Sequence, residues 1–307
     1  MVDITLIGTA SLFPLPHRAL SSAYLSCTGH SILFDCGEGT QTAARKAGVN
    51  LMKTDIIALT HYHGDHIFGV PGLLQTMHSM ARTEPLHITG PVGLNEALEP
   101  ILKLAGAMSY EVKLFEIPLG GLRLCELIKG WAFESKLSAF KTTHRVPSQG
   151  YCFTLGRAGK FNPQKAQELN VPIKQWGILQ RGQSVQVDDN VILPEQVLGE
   201  PRKGLKFIFT GDTAQCDSII TAAENADLMI CDGTYGENEQ AEMAIEYGHM
   251  NFAQAATIAK KANVNQLWLT HYSQMITDPK IYLPNATSIF ENTICGKDGM
   301  STTLKFK

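Results

Sequence analysis

The feature that most constrains the fold is a dense group of metal-capable side chains directly after the apolar run at residues 56–59. Four of them lie within six positions: His61, His63, Asp65 and His66. Because side chains alternate along a strand, the first two point to the same side, and Gly64 then allows a sharp turn that brings back the other two. Imidazole and carboxylate are donors that zinc prefers in hydrolytic sites, and manganese or iron also accept them. The spacing predicts two adjacent metal ions, with a histidine-rich surface loop as the alternative.

Three later segments repeat this arrangement, since each is a short apolar or β-branched run that ends in a histidine or an aspartate. The residues at their ends are His144, Asp212 and His271. In open α/β sheets, sites form beyond the carboxyl ends of the strands. We therefore expect four strand ends to bring five histidines and two aspartates to one cleft. The similarity of residues 59–62 to residues 269–272 also indicates two related halves.

Composition is typical of an ordinary globular protein. The chain has 307 residues, 44% of them hydrophobic, which is enough for one large domain or two. Its start carries no signal-peptide pattern and no apolar run approaches 18 residues, so we expect a cytoplasmic protein without a membrane partner. Seven cysteines without a Cys-x-x-Cys pair argue against a disulfide framework. The net charge of -3 excludes a nucleic-acid partner only weakly, because a local basic patch can bind RNA.

The motifs together resemble the metallo-β-lactamase fold, and within it the chain is similar to the ribonuclease Z family, endonucleases that trim tRNA 3′ ends. The resemblance runs from residues 4–9 through residues 33–41 to His271, nearly the whole chain. It implies the α/β class, with a four-layer αβ/βα sandwich over residues 1–307. Its cofactor would be two Zn²⁺, with Mn²⁺ or Fe as alternatives.

The resemblance also implies roles for the donors. One zinc would be held by His61, His63 and His144, the other by Asp65, His66 and His271, and Asp212 would bridge them. Two divalent ions about 3.5 to 4 Å apart lower the pKa of a shared water and neutralise charge on a phosphodiester. Asp65 would also orient that water.

Two further residues are catalytic by resemblance. His249 occupies the position of the family's proton donor, and Asp232 stands where the family usually has a glutamate that partners it. An acidic partner raises the pKa of a histidine and fixes its tautomer. The alternatives are a helix-capping or surface histidine for His249 and a turn residue for Asp232, because Asp-Gly is a common turn signal.

Residues 157–203 differ from the sequence on either side because they are rich in glycine and proline, with one short helical pattern near residues 164–169. Such a segment predicts an inserted, protruding arm. In the ribonuclease Z family the arm clamps the tRNA elbow, so it is a candidate exosite here. The substrate-binding candidates are Arg18, Lys160, Lys174 and Arg181. The alternative is an arm that only packs against a dimer partner, and we predict a homodimer.

The chain departs from the family pattern at three places. The arm keeps Val171-Pro172, but residues 173–175 replace the usual Gly-Pro pair, and the early loop at residues 14–19 keeps only Pro14 and Arg18 of its RNA-facing set. The residue pair after His249 is Met250-Asn251 instead of a Ser or Thr, although Asn251 can cap the helix that follows. The resemblance is therefore to a divergent member.

We predict a metal-dependent phosphodiesterase that acts as an endoribonuclease on precursor tRNA. Three other functions remain open. One is a small-molecule phosphodiesterase or other hydrolase of the same fold. The second is an inactive RNA-binding paralogue, which the complete donor set disfavours. The third is an iron-containing member with oxygen or thiol chemistry.

Overall fold

Two seven-stranded mixed sheets form the centre of the molecule in the computed structural model, which describes residues 1–118 and 120–307. The first sheet has the order β16-β1-β2-β3-β4-β5-β6, with strands β1 (Val2–Gly8), β2 (Ser22–Cys27), β3 (His30–Phe34), β4 (Ile56–Ala58), β5 (Leu86–Thr89), β6 (Val112–Phe115) and β16 (Met300–Leu304). The second has the order β15-β14-β13-β12-β9-β8-β7, with strands β7 (Leu122–Arg123), β8 (Ser135–Lys141), β9 (Gln149–Arg157), β12 (Arg202–Phe209), β13 (Leu228–Asp232), β14 (Leu267–Thr270) and β15 (Thr293–Cys295). A separate hairpin pairs β10 (Val185–Val187) with β11 (Asn190–Ile192).

The described residues form eleven α-helices, some on the outer faces of the sheets and two in the segment between β9 and β12. They are α1 (Thr40–Lys46), α2 (Gly64–Ile67), α3 (Val70–Ser79), α4 (Leu94–Ala105), α5 (Leu124–Leu127), α6 (Pro163–Glu168), α7 (Ile173–Gln180), α8 (Asp217–Ala223), α9 (Ala241–Tyr247), α10 (Phe252–Lys261) and α11 (Leu283–Thr287). Short 3₁₀ turns lie at Leu51–Lys53, Pro194–Gln196, Asn238–Gln240 and Pro279–Ile281.

Three apolar clusters hold these layers together. Between the sheets, the ring of Phe34 packs against Phe207 and Phe209 at centroid distances of 5.6 and 5.4 Å. A second cluster joins the first sheet to α3 and α4, and a third joins the second sheet to α8 and α10. Helix, sheet, sheet and helix thus form four layers, which confirms the predicted αβ/βα sandwich.

Parallel pairing places the functional strand ends together. β3, β4, β5 and β6 run parallel in the first sheet, and β12, β13, β14 and β15 run parallel in the second. Strands buried on both faces read as continuous apolar runs, which is the pattern of residues 56–59 and 207–209. The carboxyl ends of these strands therefore meet at one edge of the sandwich.

The segment between β9 and β12 contains more regular structure than the sequence suggested. Besides α6, near the expected helical pattern, it forms α7 and the β10–β11 hairpin. These elements share an apolar cluster of their own: Ala166, Val171, Leu179, Val185, Ile192 and Val197. The prediction of a single helix was incomplete, because Pro172 at the N-cap and Gly177 inside α7 hide its helical signal. The segment leaves and re-enters the sheet at paired positions, Arg157 opposite Arg202.

All seven cysteines are free thiols, as their spacing indicated. Among the described helices, none has both the length and the apolar character needed to cross a membrane.

The start of α10 depends on a reciprocal pair of hydrogen bonds. The side chain of Asn251 accepts from the backbone N–H of Gln254 at 2.8 Å, and the Gln254 side chain accepts from the backbone N–H of Asn251 at 2.9 Å. This capping box satisfies two N–H groups that a helix end otherwise leaves unpaired. It confirms that Asn251 caps the helix in place of the family's Ser or Thr.

We expect Asn251→Ala to lower the free energy of unfolding by about 1 kcal/mol, because it removes the cap acceptor. Asn251→Ser keeps an acceptor and should retain most of the stability. Urea denaturation of the three proteins measures the difference. Equal midpoints for the wild type and the alanine variant would contradict the importance of this cap.

Candidate metal centre

One group of donors consists of three imidazoles at the end of β4 and just beyond β8. His61 Nε2 lies 3.0 Å from His63 Nδ1, and His144 Nε2 lies 3.3 Å from the same His63 atom. Two nitrogens bound to one tetrahedral zinc at about 2.0 to 2.1 Å stand about 3.3 Å apart. These spacings are those of ligands around a single cation.

A second group combines two carboxylates with two imidazoles. His66 Nε2 lies 3.5 Å from Asp65 Oδ2 and 3.4 Å from Asp212 Oδ2. His271 Nε2 lies 3.6 Å from Asp65 Oδ2 and 3.2 Å from Asp212 Oδ1. Asp212 also reaches the first group, because its Oδ2 is 3.7 Å from His61 Nε2. The structure thus brings all seven predicted donors together, with Asp212 between the two groups.

The turn between the groups is tight. Gly64 begins α2, and a Cβ at this position would stand 2.3 Å from the ring of Phe68. Glycine leaves room here for the exposed ring of Phe68, and a larger residue would displace that ring.

Buried polar atoms without a hydrogen-bond partner indicate whether the site can hold a metal ion. Among the described residues, the buried atoms without a hydrogen-bond partner include His66 Nε2, His271 Nε2 and Asp212 Oδ1. Buried polar atoms in proteins are nearly always paired. These three converge in the second donor group, so a divalent cation there would supply the missing partner. The residues present fit the metal.

Hydrogen bonds behind the ligands fix the orientation of the rings. His66 Nδ1–H donates to the Asp35 carboxylate at 2.8 Å, and His144 Nδ1–H donates to the carbonyl of Gly248 at 2.8 Å. His271 Nδ1 lies 3.0 Å from the hydroxyl of Thr234. With the proton on Nδ1, each ring presents the lone pair of Nε2 to the centre, as metal-binding histidines do.

Asp35 is a site residue that the sequence reasoning missed. It is fully buried, and it also accepts from the backbone N–H of Thr60 at 2.7 Å and from the Thr60 hydroxyl at 2.8 Å. It therefore holds both β4's end and the ring of His66. The signal was present, because Asp35 ends the apolar run at residues 32–34 just as Asp212 follows the run at residues 207–209.

The electrostatics of the site favour positive charge between the carboxylates. Burial raises the pKa of Asp212, but the nearby His271 and His66 keep that pKa well below its usual range. Burial lowers the pKa of His66, but Asp212 and Asp35 hold it well above its usual value. Burial also keeps the pKa of His61 well below its usual value, which leaves a neutral imidazole with a free lone pair. A metal cation supplies the charge that this arrangement favours.

His249 and Asp232 form a pair beside the donors. His249 Nδ1 lies 2.8 Å from Asp232 Oδ2, and its ring stacks on that of His271 at a centroid distance of 5.3 Å. Asp232 is buried and accepts from Thr213 and Thr234 as well, so it is more than an exposed turn residue. Burial lowers the pKa of His249, but the charge and hydrogen bond of Asp232 outweigh burial and raise it to about 9.

The backbone of His249 closes α9 by donating to the carbonyl of Ala244 at 2.7 Å, while its ring lines the cleft. His249 can therefore cap α9 with its backbone and act in the cleft with its side chain. The cleft has a volume of about 570 Å³ and gives access to both donor groups. On its rim, the guanidinium of Arg145 lies 4.4 Å from the ring centre of Tyr247.

The four substrate-binding candidates are not gathered at the cleft. Arg18 donates to the carbonyls of Ile276 at 2.9 Å and Thr277 at 3.4 Å, so it also fastens the early loop to the loop after β14. The other three, Lys160, Lys174 and Arg181, are exposed on the segment between β9 and β12. That segment leaves the end of the second sheet opposite the metal donors. Substrate binding by these four residues stays a prediction.

Comparison with known proteins agrees with this geometry. Residues 2–155 match the family model described as "Anti-Pycsar protein Apyc1", and residues 196–272 match the model described as "Beta-lactamase superfamily domain". A protein named Ribonuclease Z from Lachnoclostridium phytofermentans is 40% identical over 306 residues, covering 100% of this chain and 99% of that protein.

Two solved structures show the same fold. The crystal structure of human tRNase Z, short form (ELAC1), has 25% sequence identity and a TM-score of 0.69, covering 99% of this chain and 100% of the human chain. The metallo-beta-lactamase fold protein YhfI from Bacillus subtilis has 21% identity and a TM-score of 0.70, covering 98% of each chain. The second similarity concerns the fold alone.

We expect Asp212→Ala to abolish binding of both metal ions together, because this carboxylate contacts both donor groups. Elemental analysis of the purified variant, beside the wild type, measures the metal content per chain. A variant that keeps one tightly bound ion would contradict a shared role for Asp212.

Asp35→Asn is the matched variant for Asp212→Ala, because it leaves all seven donor side chains in place. It changes the acceptor that His66 and Thr60 share, and loss of such a partner of a ligating histidine typically weakens metal affinity by about 10- to 100-fold. Titration with a competing chelator should therefore show weakened binding of two ions. Wild-type affinity in this variant would show that Asp35 serves the fold alone.

Proposed function

The chain belongs to the ribonuclease Z family of metal-dependent endoribonucleases, and we propose that its substrate is precursor tRNA, which it cuts on the 3′ side of the mature sequence. The observation that carries this proposal is the cleft itself, where seven metal donors lie beside a histidine that an aspartate holds in place. A complete donor set also disfavours an inactive RNA-binding paralogue. We further propose that the cofactor is a pair of Zn²⁺ ions, with Mn²⁺ or Fe as alternatives.

The metal pair, when bound, supplies a nucleophilic water at neutral pH and positive charge opposite the phosphodiester. The carboxylate of Asp65 faces the same space and can accept a hydrogen bond from that water, which orients it for attack on phosphorus. The backbone N–H of Leu12 donates to Asp65 Oδ2 at 2.9 Å, and this contact holds the carboxylate in place.

The remaining requirement is a proton for the departing 3′ oxygen. The ring of His249 lies between those of His144 and His271, at centroid distances of 5.1 and 5.3 Å, so it adjoins both donor groups. Asp232 binds its Nδ1 and leaves Nε2 for the substrate. We therefore assign His249 as the general acid and Asp232 as the residue that positions it.

We expect His249→Ala to reduce turnover of precursor tRNA by about 10²- to 10⁴-fold, the usual range for general acid catalysis. Hydrolysis of bis(p-nitrophenyl) phosphate should fall much less, because a nitrophenolate leaves without protonation. Single-turnover rates are measured on both substrates. Asp232→Asn should also slow cleavage of precursor tRNA more than hydrolysis of the aryl diester, but by a smaller factor than His249→Ala. Equal losses on both substrates would make His249 a structural or binding residue.

We propose that residues 157–203 form an inserted arm that grips the tRNA away from the cleft. Its cluster of apolar side chains makes it a small folded unit, and Lys160, Lys165, Lys174 and Arg181 are exposed on it. Basic side chains that meet phosphates give an affinity that falls with salt. Arg18 is the corresponding candidate near the cleft, where it is held between two carbonyls and over the ring of Tyr272 at 5.2 Å.

The arm can be removed cleanly, because Arg157 and Arg202 are direct partners in the β9–β12 ladder. We expect replacement of residues 158–201 by an Asn-Gly turn to raise KM for precursor tRNA while hydrolysis of the aryl diester stays nearly unchanged. The matched variant Lys160→Gln/Lys174→Gln/Arg181→Gln keeps the arm and removes three of its positive charges.

Equal loss on both substrates after deletion would mean that the segment belongs to the folded core. Unchanged cleavage of tRNA would favour the alternative function, a small-molecule phosphodiesterase or other hydrolase. The match of residues 2–155 to the Apyc1 model is the observation that keeps this alternative open.

We also propose that the protein is a cytoplasmic homodimer. Seven free thiols suit a reducing compartment. Exposed apolar side chains at Met80, Val92 and Leu104 supply surface on the α3–α4 side that self-association would bury.

A further inference from the structure

A row of basic side chains crosses the second sheet at the end away from the metal centre. Strand register places Arg123 of β7 opposite Lys136 of β8, Lys136 opposite Thr154 of β9, and Thr154 opposite Lys206 of β12. The basic row is defined here as Arg123, Lys136 and Lys206. Its side chains point away from the inter-sheet core, since the neighbours Leu137, Phe153 and Phe207 point into it.

The row lines a second cleft of about 520 Å³. Lys203 lines this cleft as well, and the acidic side chains there are Glu134 and Glu224. Basic side chains therefore outnumber acidic ones locally, in a chain whose net charge is -3.

The basic row is electrostatically unfavourable in the protein without a bound partner. Like charges directly opposite each other on neighbouring strands destabilise a sheet, and Arg123 and Lys136 are such a pair. In the described part of the chain, the ion pairs of lysine and arginine are Lys103–Glu99, Lys113–Glu111 and Lys203–Asp227, so the basic row has no carboxylate at ion-pair distance. Lys206 Nζ donates to the backbone carbonyl of Glu224 at 2.8 Å, a neutral partner that holds it in the cleft. Three positive charges thus lack counter-charges.

The spacing fits a nucleic-acid backbone. Adjacent strands lie about 4.8 Å apart, so the row spans about 14 Å from Arg123 to Lys206. In B-form DNA one strand carries a phosphate about every 3.4 Å along the helix axis, so a row of this length can contact a few successive phosphates of a nucleic-acid strand. The hydroxyl of Thr154 between the lysines is a further donor to phosphate.

The row also adjoins the arm. A Cβ at Gly182, in the arm, would stand 2.9 Å from the ring of Phe133, and Phe133 lines the same cleft. From Lys206, six residues of chain lead to Asp212, on the order of 20 Å. We propose that the basic row is a second RNA-binding surface, which takes phosphates of the precursor tRNA between the arm and the metal centre. This inference rests on the proposed tRNA substrate.

The test compares two variants that each remove three positive charges. The row variant is Arg123→Gln/Lys136→Gln/Lys206→Gln, and the control is Lys53→Gln/Lys103→Gln/Lys113→Gln, whose lysines are exposed on the first half of the chain. Three readouts are needed: KM and kcat on precursor tRNA, the salt dependence of binding to fluorescently labelled precursor tRNA, and hydrolysis of bis(p-nitrophenyl) phosphate.

We expect the row variant to raise KM for precursor tRNA on the order of 10-fold at little cost to kcat, and to make the slope of log affinity against log salt shallower by about 2 to 3. The control should match the wild type in slope. Wild-type KM and slope in the row variant would overturn the proposal.

The three readouts also distinguish two further outcomes. If the wild type fails to cut precursor tRNA, the proposed function fails, and binding of labelled RNA still decides whether the row holds phosphates. If the row variant loses aryl diester hydrolysis, it has misfolded, and the single variant Lys136→Gln decides the question through an expected slope change of about 1. An unchanged slope of log affinity against log salt in Lys136→Gln would then refute phosphate binding by the basic row.

Discussion

The interaction on which the site depends is the burial of Asp212 between histidines from both halves of the molecule. One oxygen lies 3.7 Å from His61 and 3.4 Å from His66, and the other lies 3.2 Å from His271. Burying a charged carboxylate costs several kcal/mol unless a partner compensates it. The inter-sheet core around Phe34 and Phe207 brings the strand ends close enough for that burial. A divalent cation held by these side chains would supply the compensation, which would couple metal binding to the docking of the two halves.

Hydrogen bonds behind the ligands give the site its rigidity. Asp35, Thr234 and the carbonyl of Gly248 each hold the Nδ1 side of one ligating ring, and Asp232 does the same for His249. Each ring therefore has one orientation before any substrate arrives. One network positions both the proposed general acid and the metal donors, because Thr234 contacts His271, His249 and Asp232.

The sequence predicted the donors through local patterns, and it predicted the four-layer fold through the family resemblance that those motifs carry. Apolar runs that end in histidine or aspartate indicated buried parallel strands with ligands at their ends, and all seven donors meet as expected. The residues that were missed depend on distant contacts. Asp35 lacks the spacing of the metal motif, and its role becomes visible only when β3 pairs with β4. The basic row joins residues from three strands, and only their register, together with that of the intervening strand β9, aligns them. In the arm, α7 is stabilised by packing in a small cluster, which local helix signals do not report.

The metal donors and the proposed RNA-binding arm lie in different parts of the molecule, since the donors are at one end of the second sheet and the arm is at the other. The central proposal is that a water oriented by Asp65 attacks phosphorus, with the charge and activation that a bound metal would supply, and that His249 gives the departing 3′ oxygen its proton. Identification of the new ends of a cleaved precursor tRNA tests this most directly. The account predicts a 3′-hydroxyl on the tRNA and a 5′-phosphate on the released trailer. A 2′,3′-cyclic phosphate would contradict it, because that product arises from attack by the ribose 2′-hydroxyl.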